Sequence, residues 1–248
     1  MSDLVDKETN PEHTSADNTQ TGLFKRYLEQ TEIKELDITA EELDLSFSRI
    51  DEIPTLKDFQ NLRRLCLRQN LIKTIEDPNR LPDHLESLSL YGNLLTAVKN
   101  IDHLHDLTYL DLSFNRIKQI ENIETLVKLE ELYFANNRIR EIKNLEPFVN
   151  LRLLELGSNK IKMIDGLETL VNLEELHLGR NHIKQIENLG CLKKLRILVL
   201  SSNYIEKICG LENLENLKQF FIAHNRITEI EGFEKNVTHF LIDSTGDS

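Results

Sequence analysis

Apolar residues recur along the chain in two alternating rhythms. In Leu107-Thr-Tyr-Leu110-Asp-Leu112-Ser-Phe-Asn115-Arg-Ile117 they alternate with polar residues around Leu110 and Leu112, the two-residue period of a half-buried strand. From Ile117 through Ile120 and Ile123 to Leu126 they fall at every third position, a spacing that suits short 3₁₀ turns or an irregular return segment. Then the frame L-x-x-L-x-L-x-x-N-x-I/L begins again. Asn93, Asn115, Asn137, Asn159, Asn181, Asn203 and Asn225 stand 22 residues apart without a break. Asn70 precedes Asn93 by 23, and Ser48 holds the same place 22 earlier.

Self-similarity at this period marks a leucine-rich-repeat solenoid. The expected fold class is α/β: a curved, right-handed coil with a parallel concave sheet of about ten strands and 3₁₀ or irregular convex segments. The predicted strand cores are Leu43/Leu45, Leu65/Leu67, Leu88/Leu90, Leu110/Leu112, Leu132/Phe134, Leu154/Leu156, Leu176/Leu178, Leu198/Leu200 and Phe220/Ile222. A tenth unit starts at Val237 with Phe240 and Ile242. At about 4.8 Å per strand, ten strands make a sheet roughly 43 Å long. The asparagine amide has donors and an acceptor together, so a stack of them is expected to satisfy backbone groups of its own and neighbouring turns.

The repeat also divides the chain. Residues 1–21 are polar and acidic-leaning, with few bulky apolar side chains, and read as a disordered tail. Residues 22–42 read as a capping segment, with helical spacing of Leu23, Phe24, Tyr27 and Leu28 over 22–30, and residues 43–242 as the solenoid. Residues 243–248 form a short tail, too short to cap the last repeat; a shortened version of a longer product, an edge covered by a partner and a folded-back tail each account for it, and the first is the favoured expectation.

Formal charge is −12, and no run of basic residues breaks it, which argues against a direct nucleic-acid partner. Three cysteines, Cys66, Cys191 and Cys209, lie inside repeats rather than in paired flanking clusters. That arrangement points to a reducing compartment, nucleus or cytoplasm. No apolar stretch approaches 20 residues, so no membrane partner is expected.

Catalytic readings fare poorly. Asp111 and Glu155 would stand two strands apart, about 9–10 Å, a separation that serves inverting glycosidases, yet on an open sheet with Tyr133 between them. Glu155 beside His177 supplies two metal ligands without a third. His103-Leu-His105-Asp106 reads as solvated surface, and Cys66 as a small strand filler. No phosphate loop, nucleophile elbow or H-E-x-x-H is present. The reading is a non-enzyme that needs no cofactor, no metal and no small-molecule substrate.

Several stretches are more specific than the frame. Leu62-Arg-Arg-Leu-Cys-Leu-Arg-Gln-Asn-Leu-Ile-Lys-Thr-Ile-Glu76, Leu151-Arg-Leu-Leu-Glu-Leu-Gly-Ser-Asn-Lys-Ile161 and Leu173-Glu-Glu-Leu-His-Leu-Gly-Arg-Asn181 resemble the leucine-rich regulatory subunit of protein phosphatase 1, as do the Ile-Glu-Asn-Ile/Leu linkers at Ile120–Ile123 and Ile186–Leu189. The resemblance covers roughly residues 40–235. It implies binding of the phosphatase catalytic subunit through the concave face, at the variable position between the two strand leucines. The matching row here is Asp111, Tyr133, Glu155, His177, Val199 and Phe221. Asp111 and Glu155 are the acids the pattern expects, Tyr133 and Phe221 keep aromatic character, and His177 departs from an expected phenyl ring. Leu241 stands where the family tends to have an acid. The family's later repeats, with their acidic and tryptophan contacts, have no counterpart, and the chain contains no Trp.

The residues themselves agree in kind. Those side chains alternate with buried leucines and so face outward, where aromatics serve as energetic anchors and acids set orientation. Tyr91 and Phe114, just before their asparagines, would either extend the rim or lie against the turn. Closely similar short repeats also occur in a spliceosomal adaptor and in cytoskeletal or ciliary scaffolds, which keeps the fold and changes the partner.

Overall fold

The computed structural model describes residues 36–231 and the strand 239–241. The tail at 1–21, the helix expected at 22–30 and the terminal residues 243–248 lie outside the described residues, as do the side chains of Val237, Phe240 and Ile242.

Ten three-residue strands form one parallel sheet in chain order. They are β1 (Glu42–Asp44), β2 (Arg64–Cys66), β3 (Ser87–Ser89), β4 (Tyr109–Asp111), β5 (Glu131–Tyr133), β6 (Leu153–Glu155), β7 (Glu175–His177), β8 (Ile197–Val199), β10 (Gln219–Phe221) and β12 (His239–Leu241). Two shorter strands, β9 (Lys207–Ile208) and β11 (Glu229–Ile230), pair on the return side and were not legible beforehand. The predicted parallel ten-strand solenoid is therefore present. Its return segments are bends and turns, with a single 3₁₀ turn at Pro78–Arg80 among the described residues.

The register carries the repeat frame directly. Leu110 lies opposite Leu88 and Leu132, and Asp111 opposite Ser89 and Tyr133. The two rhythms of the sequence are two ways of pointing inward. On the strands the middle residue is buried and its neighbours are, as a rule, less so. On the return segment Ile117, Ile120, Ile123, Leu126 and Leu129 follow the three-residue period, and all have 0% exposure. Turn bonds set that period, as where Leu126 N–H donates to the Ile123 carbonyl at 2.9 Å and Leu129 N–H to that of Leu126 at 3.1 Å. Burying each such side chain contributes roughly 1.5–3 kcal/mol, and no unit supplies enough alone. Leu45, expected in the core, is only half-buried, beside β1 at the end of the sheet.

The asparagines do what their chemistry permits. Asn137 Nδ2 donates to the carbonyls of Leu112 (2.9 Å), Phe134 (3.0 Å) and Ala135 (3.3 Å), while its Oδ1 accepts the Ile117 N–H at 2.9 Å. One side chain thus ties two turns together, and Asn70 to Asn225 repeat the pattern. A second ladder runs along the return segments. Asn100, Asn122, Asn144 and Asn188 sit at positive φ and donate to carbonyls of the preceding repeat, Ile75, Val98, Ile120 and Ile164. Gly166 and Gly210 take the same place in their repeats, at φ 67° and 74°.

Candidate functional site

The outward face of the sheet is made of the first and third residues of each strand, because the second points into the core. On the third position Tyr133, Glu155, His177, Val199 and Phe221 are all half-buried, in consecutive register from β5 to β10. Five of the six residues read from the sequence as one outward row are therefore brought together with their side chains accessible. Asp111 differs. It occupies the row but is 7% exposed, and its Oδ1 accepts the Ser113 N–H at 2.9 Å. Periodicity fixes which face a residue takes, and the size of its neighbours decides how much water it keeps.

The same local device recurs in two of the acids. Glu155 Oε1 accepts the N–H of Gly157 at 2.6 Å, two residues on, as Asp111 does from Ser113. On its other side Glu155 Oε2 lies 3.7 Å from His177 Nδ1, and the opposite ring nitrogen of His177 is 3.3 Å from Glu175 Oε2. Burial pushes the Glu155 carboxyl above its ordinary value, against the Gly157 N–H and the charge of His177. The Tyr133 hydroxyl donates to Glu131 Oε2 at 2.6 Å, and its ring lies 5.3 Å from that of Tyr109. Burial first, then the Glu131 carboxylate, drives the Tyr133 hydroxyl upward, and burial takes Tyr109 up to about 12. Both phenols stay neutral, and Tyr133 donates.

Sequence reasoning missed half of this face. The first strand positions, Tyr109, Glu131, Leu153, Glu175 and Ile197, are as accessible as the third. Alternation within each strand was the signal for them. Beside the row runs a column of small residues, Ala135, Gly157, Gly179, Ser201 and Ala223, two places after each third position. Small side chains there leave the backbone open to close approach by a partner. A methyl at Gly157 would come within 2.7 Å of Glu155 Oε1.

Other expectations change more. His103 is not simply solvated surface. Both its ring nitrogens are buried without a hydrogen-bond partner, Nε2 is 4.0 Å from Asp83, and burial lowers its pKa. Phe114 lies against Tyr91 with ring centroids 4.7 Å apart, while remaining 46% exposed, so the two expected roles coincide. Cys66 is half-buried, its Sγ 3.2 Å from Ser46 Oγ.

The largest surprise is basic. No run of cations is visible in the linear sequence, yet the coil assembles one at the edge where each strand turns into its return segment. The residues directly after the ladder asparagines are Arg116, Arg138, Lys160 and His182, and two places on stand Lys118, Arg140, Lys162 and Lys184. All eight are exposed. The signal was N-[RKH]-I-[KR] recurring at the repeat period.

Three comparisons place the chain among known proteins. The family model "Leucine Rich repeats (2 copies)" matches residues 83–125, 127–169, 149–191 and 171–213, just over half of the chain. A Saccharomyces cerevisiae protein named protein phosphatase 1 regulatory subunit SDS22 is 43% identical over 126 residues, 50% of this chain and 34% of the relative. Its Caenorhabditis elegans homologue is 41% identical over 73 residues, 29% of this chain and 22% of that one. The matched stretches thus span about a third or less of these relatives' own length. Among solved structures, an internalin C2 of Listeria monocytogenes superposes with a TM-score of 0.65 at 24% identity, over 82% of this chain and 80% of that one. A leucine-rich-repeat protein of Leptospira interrogans gives 0.60 at 23% identity, over 78% and 59%. At these identities the structural likeness speaks for the fold.

Proposed function

The chain belongs to the leucine-rich-repeat family, and from that premise we propose that it is a non-catalytic regulatory subunit that docks the protein phosphatase 1 catalytic subunit on the outward face of its sheet. The observation that carries this reading is the 43% identity to a yeast protein named for that role. The face supports it physically. Tyr133 and Phe221 offer large aromatic anchors, and internal bonds hold Tyr133, Glu131, Glu155, Glu175 and His177 in place, so that these groups lose little entropy on binding. Glu131, Glu155 and Glu175 give the middle of the face an acidic character suited to a basic patch on the partner. Action is by occupying a surface of the catalytic subunit, which shapes its activity, assembly or location.

The proposed setting is nucleus and cytoplasm, supported by three free cysteines. No helix among the described residues is long and apolar enough to cross a membrane.

A pull-down with purified catalytic subunit tests the reading. Wild-type chain is expected to retain the phosphatase, and the double variant Tyr133→Ala/Glu155→Lys to lose it while circular dichroism and melting remain those of a folded solenoid. Loss of two central anchors should weaken binding by about 2–4 kcal/mol, roughly thirtyfold or more. Equal retention by the double variant removes the proposed face. Failure of the wild type to bind removes the proposed partner.

A further inference from the structure

The basic edge is a second surface, separate from the row on the sheet. Elsewhere on the molecule neighbouring repeats set opposite charges beside each other. Glu174 lies between Arg152 (3.0 Å) and Arg196 (3.3 Å), and Lys128 Nζ donates to Asp106 at 2.6 Å. On the basic edge like charges stack instead. Four consecutive repeats contribute two basic positions each, about 4.8 Å from one repeat to the next. Among the described residues, none of the seven lysines and arginines in this set forms an ion pair. In a chain with 42 acidic residues against 30 Lys and Arg, unpaired cations side by side do not follow from composition. Like charges on adjacent repeats repel one another, an unfavourable arrangement that salt only partly screens. The stripe is also bounded: Leu94 and Thr96 hold the equivalent places before it, Tyr204 and Glu206 after it.

Its relief is equally specific. A depression of about 850 Å³ opens along the later basic repeats, with Arg140, Lys160, Lys162 and Lys184 around it, Met163 and Tyr204 in its lining, and Glu187 as its one carboxylate. Met163 is 59% exposed. Tyr204 is held in place, its ring 5.7 Å from that of His182 and 4.7 Å from the Arg226 guanidinium.

We propose that this edge binds an acidic segment of a partner protein, extended along the stripe, with one apolar side chain seated against Met163 and Tyr204. The stripe is two side chains wide and three repeat steps long, about 14 Å, which matches about four residues of an extended chain. Carboxylates of Glu121, Glu141, Asp165 and Glu187 follow closely on the same return segments, Glu141 paired with Lys143 at 3.7 Å, so a broad polyanion such as a nucleic-acid duplex would meet them. The net charge of −12 works against any long polyanion at distance, whereas a short acidic segment needs only the local field. This inference does not rest on the identity of the partner at the sheet face. With both surfaces occupied, the chain would hold two proteins at once.

The test uses the intact chain and a fluorescein-labelled peptide of about twelve residues bearing about six glutamates and one leucine, followed by fluorescence anisotropy in about 50 mM salt. Binding is expected, and raising the salt to about 300 mM should weaken it by about tenfold or more. Arg138→Glu/Lys160→Glu should weaken it about tenfold or more, and the neutral pair Arg138→Gln/Lys160→Gln should do so more mildly with a melting temperature no lower than that of wild type. Lys193→Glu/Lys194→Glu, an equal change in net charge further along the coil, should leave the affinity within about twofold. Replacing the peptide leucine by glycine should also weaken binding. Absence of binding, equal losses from the Lys193/Lys194 control, or tighter binding of a single-stranded oligothymidylate of the same length than of the peptide would each overturn the proposal.

Discussion

On the sheet face Glu131, Glu155 and Glu175 each have a polar partner inside the molecule: the Tyr133 hydroxyl, the Gly157 N–H and the His177 ring. A turn away, Arg116, Arg138, Lys160 and their neighbours form no ion pair among the described residues. Both surfaces come from the same repeat, and both stand on the same buried leucines. The difference lies in where charge is satisfied. A face whose polar groups are already bonded presents fixed shape, and its contribution to binding depends on fit and on anchors. An edge of unpaired cations presents a field, and its contribution depends on salt and on the sign of the visitor. On the two proposals made above, one coil would offer two kinds of recognition without a separate domain for either.

The sharpest way to break the comparison is to remove what both regions share. Asn137→Ala deletes four hydrogen bonds at once and leaves the N–H of Ile117 without its partner in the core, while the carbonyls of Leu112 and Phe134 keep the amides of Asn115 and Asn159. The unsatisfied Ile117 N–H costs roughly 1–3 kcal/mol and each bond lost to a carbonyl about 0.5–1.5 kcal/mol, so a loss of about 3–5 kcal/mol is expected in urea unfolding. Binding at face and edge should fail together at temperatures where the variant unfolds. A loss below about 1 kcal/mol would mean that water replaces the amide and that the ladder does not hold the turns.

Much of this was open to sequence reasoning, and the reason is dimensional. Each repeat touches its neighbours alone, so a one-dimensional pattern encodes the strand register, the inward leucines and the ladder asparagines. What depends on side chains from different repeats meeting in space was hidden. Arg138 and Lys160 are 22 positions apart, and nothing in a linear scan for basic runs brings them side by side. Asp111 was assigned to the right row, but its burial comes from its setting beside Tyr133 and its bond to Ser113, which alternation cannot express. The second ladder is a subtler omission. Its place is filled by Asn122 in one repeat and by Gly166 in another, two residues that look unrelated until both prove to adopt positive φ.

That substitution pattern supplies the next test, of medium size. Asn tolerates the left-handed region and repays it with a hydrogen bond, whereas Gly enters without strain and forgoes the bond. Alanine does neither. At Gly166 a Cβ would also lie 2.9 Å from the Ile142 carbonyl oxygen. Gly166→Ala should therefore cost about 1–3 kcal/mol, and Gly166→Asn less, because its amide can donate to the preceding repeat as Asn144 does to Ile120. Thermal melting of the two variants ranks them. An alanine variant as stable as wild type would show that this bend has room to relax. Both substitutions lie on the return side, so binding at the sheet face should be unchanged at temperatures where they stay folded.

The smallest expected effect separates the two surfaces by pH. Burial raises the Glu155 carboxyl above its ordinary 4.5, so at neutral pH its ionised form is a cost to the folded state. As pH falls through the raised folded value toward 4.5, the folded chain takes up the proton before the unfolded chain does, and this cost is relieved. Below 4.5 both states are protonated and the contribution no longer changes. Carboxylates such as the half-buried Asp106, held low by its bond and charge interaction with Lys128, act in the opposite sense: their stabilisation is present above 3.8 and lost as pH falls through the depressed folded value. Glu155→Gln removes only the first effect. Its stability advantage over wild type should be greatest near neutral pH and narrow as acid is added, by less than about 1 kcal/mol in urea midpoints taken at several pH values. A gap that widens on acidification would mean that the Gly157 N–H and His177 outweigh burial, and the carboxylate would then be a stabilising member of the face rather than one held there at a cost.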